Sequence, residues 1–191
     1  MRLPIFLFSA LLLGGCDQIP ALRNLLHKGS RIKRVSEKRD VDCEARKGRP
    51  PRDGCVTGTI ACGEEVEGNT AGGKDNFRDD FYVGKYCQAQ RYGYPKGERV
   101  YNLQLPANTG ANIWLDSDCA DLDLFAFRWA YDGNCPTVSH TVSECEADGS
   151  VGDGVVHVET VANPAAYMIV VDGKAGAEGA FRLTVECGES R

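Results

Sequence analysis

The sequence lacks an N-terminal apolar run long enough to cross a membrane. Residues 5–13 are apolar except for Ser9, whereas a transmembrane helix needs about 20 apolar residues. The sequence also has no CxxC pair, and its three histidines are scattered at positions 27, 140 and 157. A zinc site is therefore much less favoured than structural disulfides.

Signatures of catalysis are missing as well. No GxSxG motif, HExxH motif or glycine-rich phosphate loop occurs. Ser139, His140 and Ser143 are neighbours in the sequence, but a catalytic triad is recognised by its arrangement in space, and sequence neighbours rarely form one. His157 lies in a valine-rich run, which favours a histidine on a strand face. We therefore predict no catalytic residues and expect that the protein is not an enzyme.

Charge is divided unevenly along the chain. Residues 16–52 contain eleven Lys/Arg and five Asp/Glu, a net charge of +6, whereas residues 53–191 contain ten and twenty-two, a net charge of −12. No basic face is interleaved with aromatic residues, which argues against nucleic acid as a partner. A basic segment beside an acidic domain suits a membrane-proximal tether, and we expect it to contact anionic lipid or another acidic envelope polymer.

Residues 1–15 have the three zones of a secretory signal. Arg2 gives a positive start, the apolar run follows, and Leu13-Gly14-Gly15 precedes Cys16. This ending matches the lipobox of bacterial lipoproteins, in which the first mature residue is a cysteine that carries lipid. We predict cleavage before Cys16, acylation of Cys16 and anchoring of the chain to a membrane on the extracytoplasmic side of the bacterial envelope. The predicted parts are a signal peptide (1–15), a lipidated basic tether (16–54) and a folded domain (55–191).

Eight cysteines remain once Cys16 is assigned to lipid. An even number in an exported chain indicates up to four disulfides. The eight candidates are Cys43, Cys55, Cys62, Cys87, Cys119, Cys135, Cys145 and Cys187.

From about residue 55 the apolar residues alternate with a period of two. Tyr101, Leu103 and Leu105 share one side of a segment, and residues 113–115 and 181–187 alternate in the same way. Runs 122–128, 154–161 and 166–172 also resemble strands, and clusters of Gly, Asn, Asp or Pro separate the segments. This pattern predicts an all-β fold, an antiparallel β-sandwich of jelly-roll type that is stapled by disulfides and contains almost no helix.

The order of these segments resembles the pre-peptidase C-terminal (PPC) type of bacterial β-sandwich over about residues 57–187. The resemblance rests on EEVEG at 64–68, DNFRDD at 75–80, ERVYNLQLP at 98–106, DLDLF at 121–125, YMIVVDG at 167–173 and GAFRLTV at 179–185. It implies a non-catalytic module, since members of this type are often appended to secreted peptidases and some bind calcium or matrix polymers. No peptidase accompanies the module in this chain.

The segment 116–123 concentrates carboxylates at a connection between two strands. Asp116, Asp118, Asp121 and Asp123 supply the oxygen ligands that Ca²⁺ prefers, and the loop 75–80 is a weaker candidate. The alternative interpretation is a turn whose carboxylates are solvated or bind backbone N–H groups. The EF-hand glycine and distal glutamate are absent, so any calcium site here is of another kind.

Disulfide pairing follows from the expected position of each cysteine. The terminal strands of a sandwich often lie side by side, which favours Cys62–Cys187. Short connections favour Cys135–Cys145 and Cys43–Cys55, and these choices leave Cys87–Cys119. Eight cysteines allow 105 pairings.

We expect a lipid-anchored, non-catalytic β-sandwich that binds or supports another envelope protein, polymer or surface component. The alternatives are a calcium-stabilised adhesion or polymer-binding module and a small secreted hydrolase.

Overall fold

The computed structural model describes residues 33–44, 54–85, 87, 92–130 and 134–190. The signal segment, Cys16 and most of the tether lie outside these residues, so the expectations about them stay predictions. The compact unit that contains the domain starts at Arg34. None of the described helices combines the length and the apolar character needed to cross a membrane.

Nine strands and one short helix make up the regular structure of the described residues. The strands are β1 (Gly58–Ile60), β2 (Glu65–Asn69), β3 (Arg99–Leu105), β4 (Thr109–Asp116), β5 (Leu122–Arg128), β6 (Ser143–Asp148), β7 (Asp153–Glu159), β8 (Ala165–Gly173) and β9 (Ala180–Glu189). Helix α1 (Asp79–Gly84) lies between β2 and β3, and a 3₁₀ turn (Lys174–Gly176) follows β8. Periodicity does not mark β2 and β6, because EVEGN and SECEAD contain few apolar residues.

The strands form two sheets. The five-stranded sheet has the order β1-β3-β8-β5-β6, and the four-stranded sheet has the order β2-β9-β4-β7. Neighbouring strands are antiparallel, except that β1 runs parallel to β3. The predicted all-β, antiparallel-dominated sandwich is confirmed.

The core between the sheets follows the predicted alternation. Tyr101, Leu103 and Leu105 of β3 point inward with 4% or less of their surface exposed, and they pack with Ile113 of β4 and Leu183 of β9. Full burial of such side chains stabilises the fold by about 1.5–3 kcal/mol each. This core holds the two sheets face to face.

A second core covers the outer face of the five-stranded sheet. The connection between β2 and β3, described at residues 70–85, 87 and 92–98, lies over this face and buries aromatic side chains there. Tyr82 stacks on Phe125 with 4.0 Å between ring centroids, and Tyr94 meets the same ring edge-on at 5.6 Å. Burial on both faces explains why residues 124–127 of β5 and 165–171 of β8 form continuous runs of apolar and aromatic side chains rather than alternating ones. Tyr82 and Tyr94 therefore serve in packing, whereas Tyr92 is 39% exposed and its ring centroid lies 4.3 Å from the Lys174 ammonium.

Four disulfides join the eight cysteines in the pairs Cys43–Cys119, Cys55–Cys135, Cys62–Cys187 and Cys87–Cys145. Cys62–Cys187 is confirmed, although Cys62 lies in the turn after β1. The predicted pairs Cys43–Cys55, Cys87–Cys119 and Cys135–Cys145 are wrong. The reason is the second core: β6 places Cys145 opposite Phe127, and Cys87 of the β2–β3 connection, together with Cys55 and Cys135, packs on that same side.

Candidate functional site

A segment of the chain crosses the outer face of the four-stranded sheet. This segment, residues 34–43, is called the strap. The sheet presents polar side chains to it from alternate positions of β4 and β9, and the register sets Trp114 beside Thr184 and Asp116 beside Arg182. The strap was expected to belong to a free tether that ends at residue 54. In the structure, the compact unit begins at Arg34 and therefore includes the strap.

Arg34 fixes the first end of the strap. Its guanidinium nitrogens lie 2.6 and 2.9 Å from the two carboxylate oxygens of Asp116, of which only 1% is exposed. The same guanidinium lies 5.5 Å from the centroid of the Trp114 ring. The hydrogen bond to Asp116 raises the pKa of Arg34 above its usual value. A two-pronged ion pair of this kind sets direction as well as position.

Glu186 binds the backbone next to Arg34. Its carboxylate accepts hydrogen bonds from the N–H groups of Val35 and Ser36, and from the indole N–H of Trp114 at 3.0 Å. Burial acts to raise the pKa of Glu186, but the hydrogen bonds from Ser36, Val35 and Trp114 outweigh it and the pKa is lowered. The charged form of Glu186 is therefore the form that holds the strap.

Exposed ion pairs hold the middle of the strap. The Lys38 ammonium lies 3.1 Å from Asp118 and 2.8 Å from Asp153, and Arg39 lies 2.8 Å from Glu65. Pairs this exposed contribute about 0–1 kcal/mol each.

Arg182 supports the same segment from below. Its guanidinium donates to the carbonyl oxygens of residues 39 and 40 at 2.8 and 3.3 Å, and it pairs with Glu67 at 2.6 Å. The strap ends at the Cys43–Cys119 disulfide. Among the described residues of the basic region, Arg34, Lys38 and Arg39 are thus paired with the domain's own carboxylates, which leaves fewer cations of the region for lipid.

Two concave surfaces border the four-stranded sheet. A groove of about 800 Å³ runs along the strap and is lined by Val35, Arg39, Glu65 and the Cys62–Cys187 disulfide, among others. A cleft of about 520 Å³ lies beside β6 and β7 and is lined by Arg128, three glutamates (Glu144, Glu146, Glu159), His157 and Val161, among others. Both surfaces combine charged groups with exposed valines.

The structure does not bring the four predicted calcium ligands into one group. Asp116 pairs with Arg34 and Asp118 with Lys38, whereas Asp123 accepts a hydrogen bond from the hydroxyl of Tyr94. Oδ1 of Asp121 and Oδ1 of Asp123 are buried without a hydrogen-bond partner in the described structure. Across the residues that the structure describes, no three acidic, histidine or cysteine side chains are grouped as a metal site requires. The arrangement gives the calcium prediction no support at 116–123 or at 75–80.

Three buried carboxyl groups form a site that the sequence did not reveal. Glu98, Asp123 and Asp172 are at most 2% exposed, and each accepts a hydrogen bond from the β2–β3 connection. The donors are Asn76 to Glu98 at 2.6 Å, Tyr82 to Asp172 at 2.7 Å, and Tyr94 to Asp123.

Burial changes the titration of these three groups. Burial raises the pKa of Glu98 to about 7 against the opposing hydrogen bonds from Asn76. Burial, and then the nearby charge of Glu98, raise the pKa of Asp172 far above its usual value, and burial also raises that of Asp123. In the sequence, Glu98 just before β3 and the two aspartates near the ends of β5 and β8 give no signal of this, because only the covering connection makes them buried.

The neighbours Ser139 and His140 form part of a local turn. Both contact the hydroxyl of Thr137 at 2.8 Å, and the ring of His140 packs edge-on against Trp129 at 5.3 Å. These contacts indicate that Ser139 and His140 stabilise the turn in which they lie. His157 lies exposed on β7 and bonds Asn112 at 2.7 Å, as the strand-face interpretation predicts.

The architecture defines the class of protein as a two-sheet β-sandwich with four disulfides and a charged strap on one face. No known family matches the sequence, and no curated relative was found. Among solved structures, the chain is similar to the pre-peptidase C-terminal domain of collagenase from Bacillus anthracis, with 12% identity and a TM-score of 0.42. The similarity covers 74% of this chain and 99% of that domain.

Proposed function

We propose that the protein is a lipid-anchored, non-catalytic β-sandwich of the bacterial envelope that binds or supports another envelope or surface component. The lipobox before Cys16 and the order of PPC-like motifs in the sequence support the anchor and the kind of module. The strap is the structural observation that carries the proposal.

In the closed arrangement, the strap lies on one defined face of the domain. Arg34 and Cys43, nine residues apart in the chain, are held on one sheet face by a buried ion pair and by a disulfide. A tether that enters the domain across a defined face presents the other surfaces of the domain in a defined manner. That arrangement suits a module that meets a partner from an anchored position.

The cleft beside β6 and β7 and the groove beside the strap are the surfaces available for a partner. Val161 in the cleft is 70% exposed and Val35 beside the groove is 89% exposed. Apolar side chains exposed next to charged ones are common where proteins meet partners. The calcium-stabilised alternative lacks a comparable observation.

The test is site-specific photo-cross-linking in native membranes. A photoreactive amino acid placed at Val35 or at Val161 is expected to capture a component of the envelope from one of the two positions. The same amino acid at Val138, which is 54% exposed and does not line either concave surface, is the matched control.

Separate fractionation of a Cys16→Ser variant tests the anchor. The variant is expected to leave the membrane fraction or to remain unprocessed. Wild-type protein in the soluble fraction, or equal adducts at all three cross-linking positions, would contradict the proposal.

A further inference from the structure

The attachment of the strap is almost entirely electrostatic. Val35 is 89% exposed, and no strap residue belongs to a strand of either sheet. The contacts are the ion pairs of Arg34, Lys38 and Arg39, the hydrogen bonds from the strap backbone to Glu186, and the hydrogen bonds from Arg182 to the carbonyl oxygens of residues 39 and 40. Salt weakens ion pairs, the exposed pairs of Lys38 and Arg39 more than the buried pair of Arg34, whereas the apolar contacts of the two cores do not weaken in this way.

The two ends of the strap are fastened by different chemistry. Cys43 is bonded covalently to Cys119, at the turn after β4. Arg34 is held only by Asp116, by a longer hydrogen bond to Thr184 at 3.3 Å and by the face of Trp114. Loss of the Arg34 contacts, together with the hydrogen bonds from Val35 and Ser36 to Glu186, frees the strap from this end, and the release stops at the disulfide.

The surface below the strap consists mainly of groups that water can solvate. The groups that the strap covers are chiefly a carboxylate on Asp116, a carboxylate on Glu186 and the edge and face of Trp114. Carboxylates regain water when the strap leaves, so uncovering them does not expose the core between the sheets. The inward residues of the same strands, Ile113 and Leu183, stay buried by the opposite sheet.

We propose that residues 34–42 are a releasable strap. When the ion pairs of Arg34, Lys38 and Arg39 are broken, this segment leaves the four-stranded sheet as far as Cys43 while the sandwich stays folded. The change uncovers Trp114 and lengthens the free chain before the domain by about 30 Å, at roughly 3.3 Å per extended residue. The strap is thus a tether of adjustable length whose limit is set by the Cys43–Cys119 bond.

Hydrogen exchange of the wild-type chain measures this release directly. The amides of Val35 and Ser36 are bonded to Glu186, and the amides of β4 and β9 report on the fold. We expect the two strap amides to be protected about 100-fold less than the central amides of β4 and β9, as is typical of a local opening. Raising NaCl from 0.05 to 1 M is expected to lower the strap protection further and to leave that of the strands unchanged.

Replacing Arg34 by a neutral residue isolates the contribution of its ion pair. Arg34→Gln removes the ion pair with Asp116 and is expected to lower the protection of Val35 and Ser36 by about tenfold or more, with β4 and β9 unaffected. Arg128→Gln is the matched control, because it removes an exposed pair with Glu144 on the other sheet and should leave the strap amides unchanged.

The wild-type salt series decides the matter even if Arg34→Gln does not fold. If the strap amides are as strongly protected as the central amides of β4 and β9, release is contradicted, because the strap then opens only when the whole domain unfolds. Strap protection that does not respond to salt or to Arg34→Gln would contradict its electrostatic origin.

Discussion

Glu98 is a carboxyl group that the fold places almost out of contact with water. Its exposed fraction is 2%, and it accepts hydrogen bonds from both the backbone and the side chain of Asn76. Asp172 and Asp123 are in the same condition, with hydroxyl donors in place of the amide. Asp123 and Asp172 fasten the β2–β3 connection to the sheet below it, and Glu98 fastens the start of this connection to its end; each contact removes a carboxyl group from solvent, which is unfavourable by itself.

The titration of Glu98 gives a pH dependence opposite to that of an ordinary surface carboxylate. Its pKa is about 7 in the folded chain and 4.5 as the reference, so folding takes up a proton between these values. The free energy of unfolding should therefore fall by up to about 3 kcal/mol as the pH rises from about 4.5 to above 7. Urea unfolding at several pH values between 5 and 8 measures this.

Glu98→Gln separates this effect from others. Glutamine keeps the Oε1 atom that accepts both Asn76 hydrogen bonds and cannot ionise, so the variant should lose the part of the slope that Glu98 contributes and be more stable than wild type at pH 8. Glu146→Gln, at an exposed position on β6, is the control. A wild-type stability that rises with pH across this interval would contradict the account.

At the scale of elements, β2 shows how closely an edge strand can be fitted to its neighbour. Gly68 lies opposite Phe181 of β9, and a Cβ at Gly68 would lie 2.4 Å from the tip of the Phe181 ring. The ring is fully buried in the core between the sheets. A glycine is needed here because of the close approach of the ring, which is a reason that the sequence alone does not reveal.

Gly68→Ala should therefore destabilise the domain by about 1–3 kcal/mol, because the Phe181 ring must move within a packed core. Gly188→Ala is the matched control, since Gly188 is also in a strand of the four-stranded sheet and a Cβ there meets nothing within 4 Å. Thermal or urea unfolding of both variants measures the difference. Equal free energies of unfolding for the two variants would show that the Phe181 ring moves without destabilising the domain.

The elements differ in how far the sequence predicts them. Alternating apolar residues predict β3, β4 and β9, because only one face of each strand packs in the core between the sheets and the other face carries polar or solvent-exposed side chains. The β2–β3 connection is not predicted as a cover for the five-stranded sheet, since its contacts come from residues distant in the chain, such as Phe77 and Phe127. The strap is missed for a related reason: a basic, polar segment reads as a linker until Asp116, Glu186 and Asp153 are seen to lie beside it.

At the scale of the whole molecule, the division of charge has a structural counterpart. The basic region meets the acidic domain inside one chain, through Arg34, Lys38 and Arg39. Disulfides then fix the positions of the parts: two hold the second core, one fixes the strap and one joins the turn after β1 to β9. Secreted domains often rely on such bonds when the compartment is oxidising.

The disulfide that closes the longest loop should restrict the unfolded chain most and therefore contribute most to the free energy of unfolding. Cys62 and Cys187 are 125 residues apart, so their double substitution by alanine should lower stability by about 4–5 kcal/mol in the chain-entropy model. The pair Cys87 and Cys145, 58 residues apart, gives the comparison, with a smaller loss expected from loop closure. A larger loss for the shorter loop would show that packing of the second core dominates over chain entropy.

The central claim is that the sandwich is exported, oxidised and anchored by lipid on Cys16. The most direct measurement is the intact mass of the protein extracted from membranes, before and after reduction and thiol alkylation. The account predicts a chain that begins at residue 16, carries acyl chains on Cys16, and takes up eight alkyl groups only after reduction. A chain that retains residues 1–15 in unacylated form, or that takes up alkyl groups at Cys16 without reduction, would contradict it.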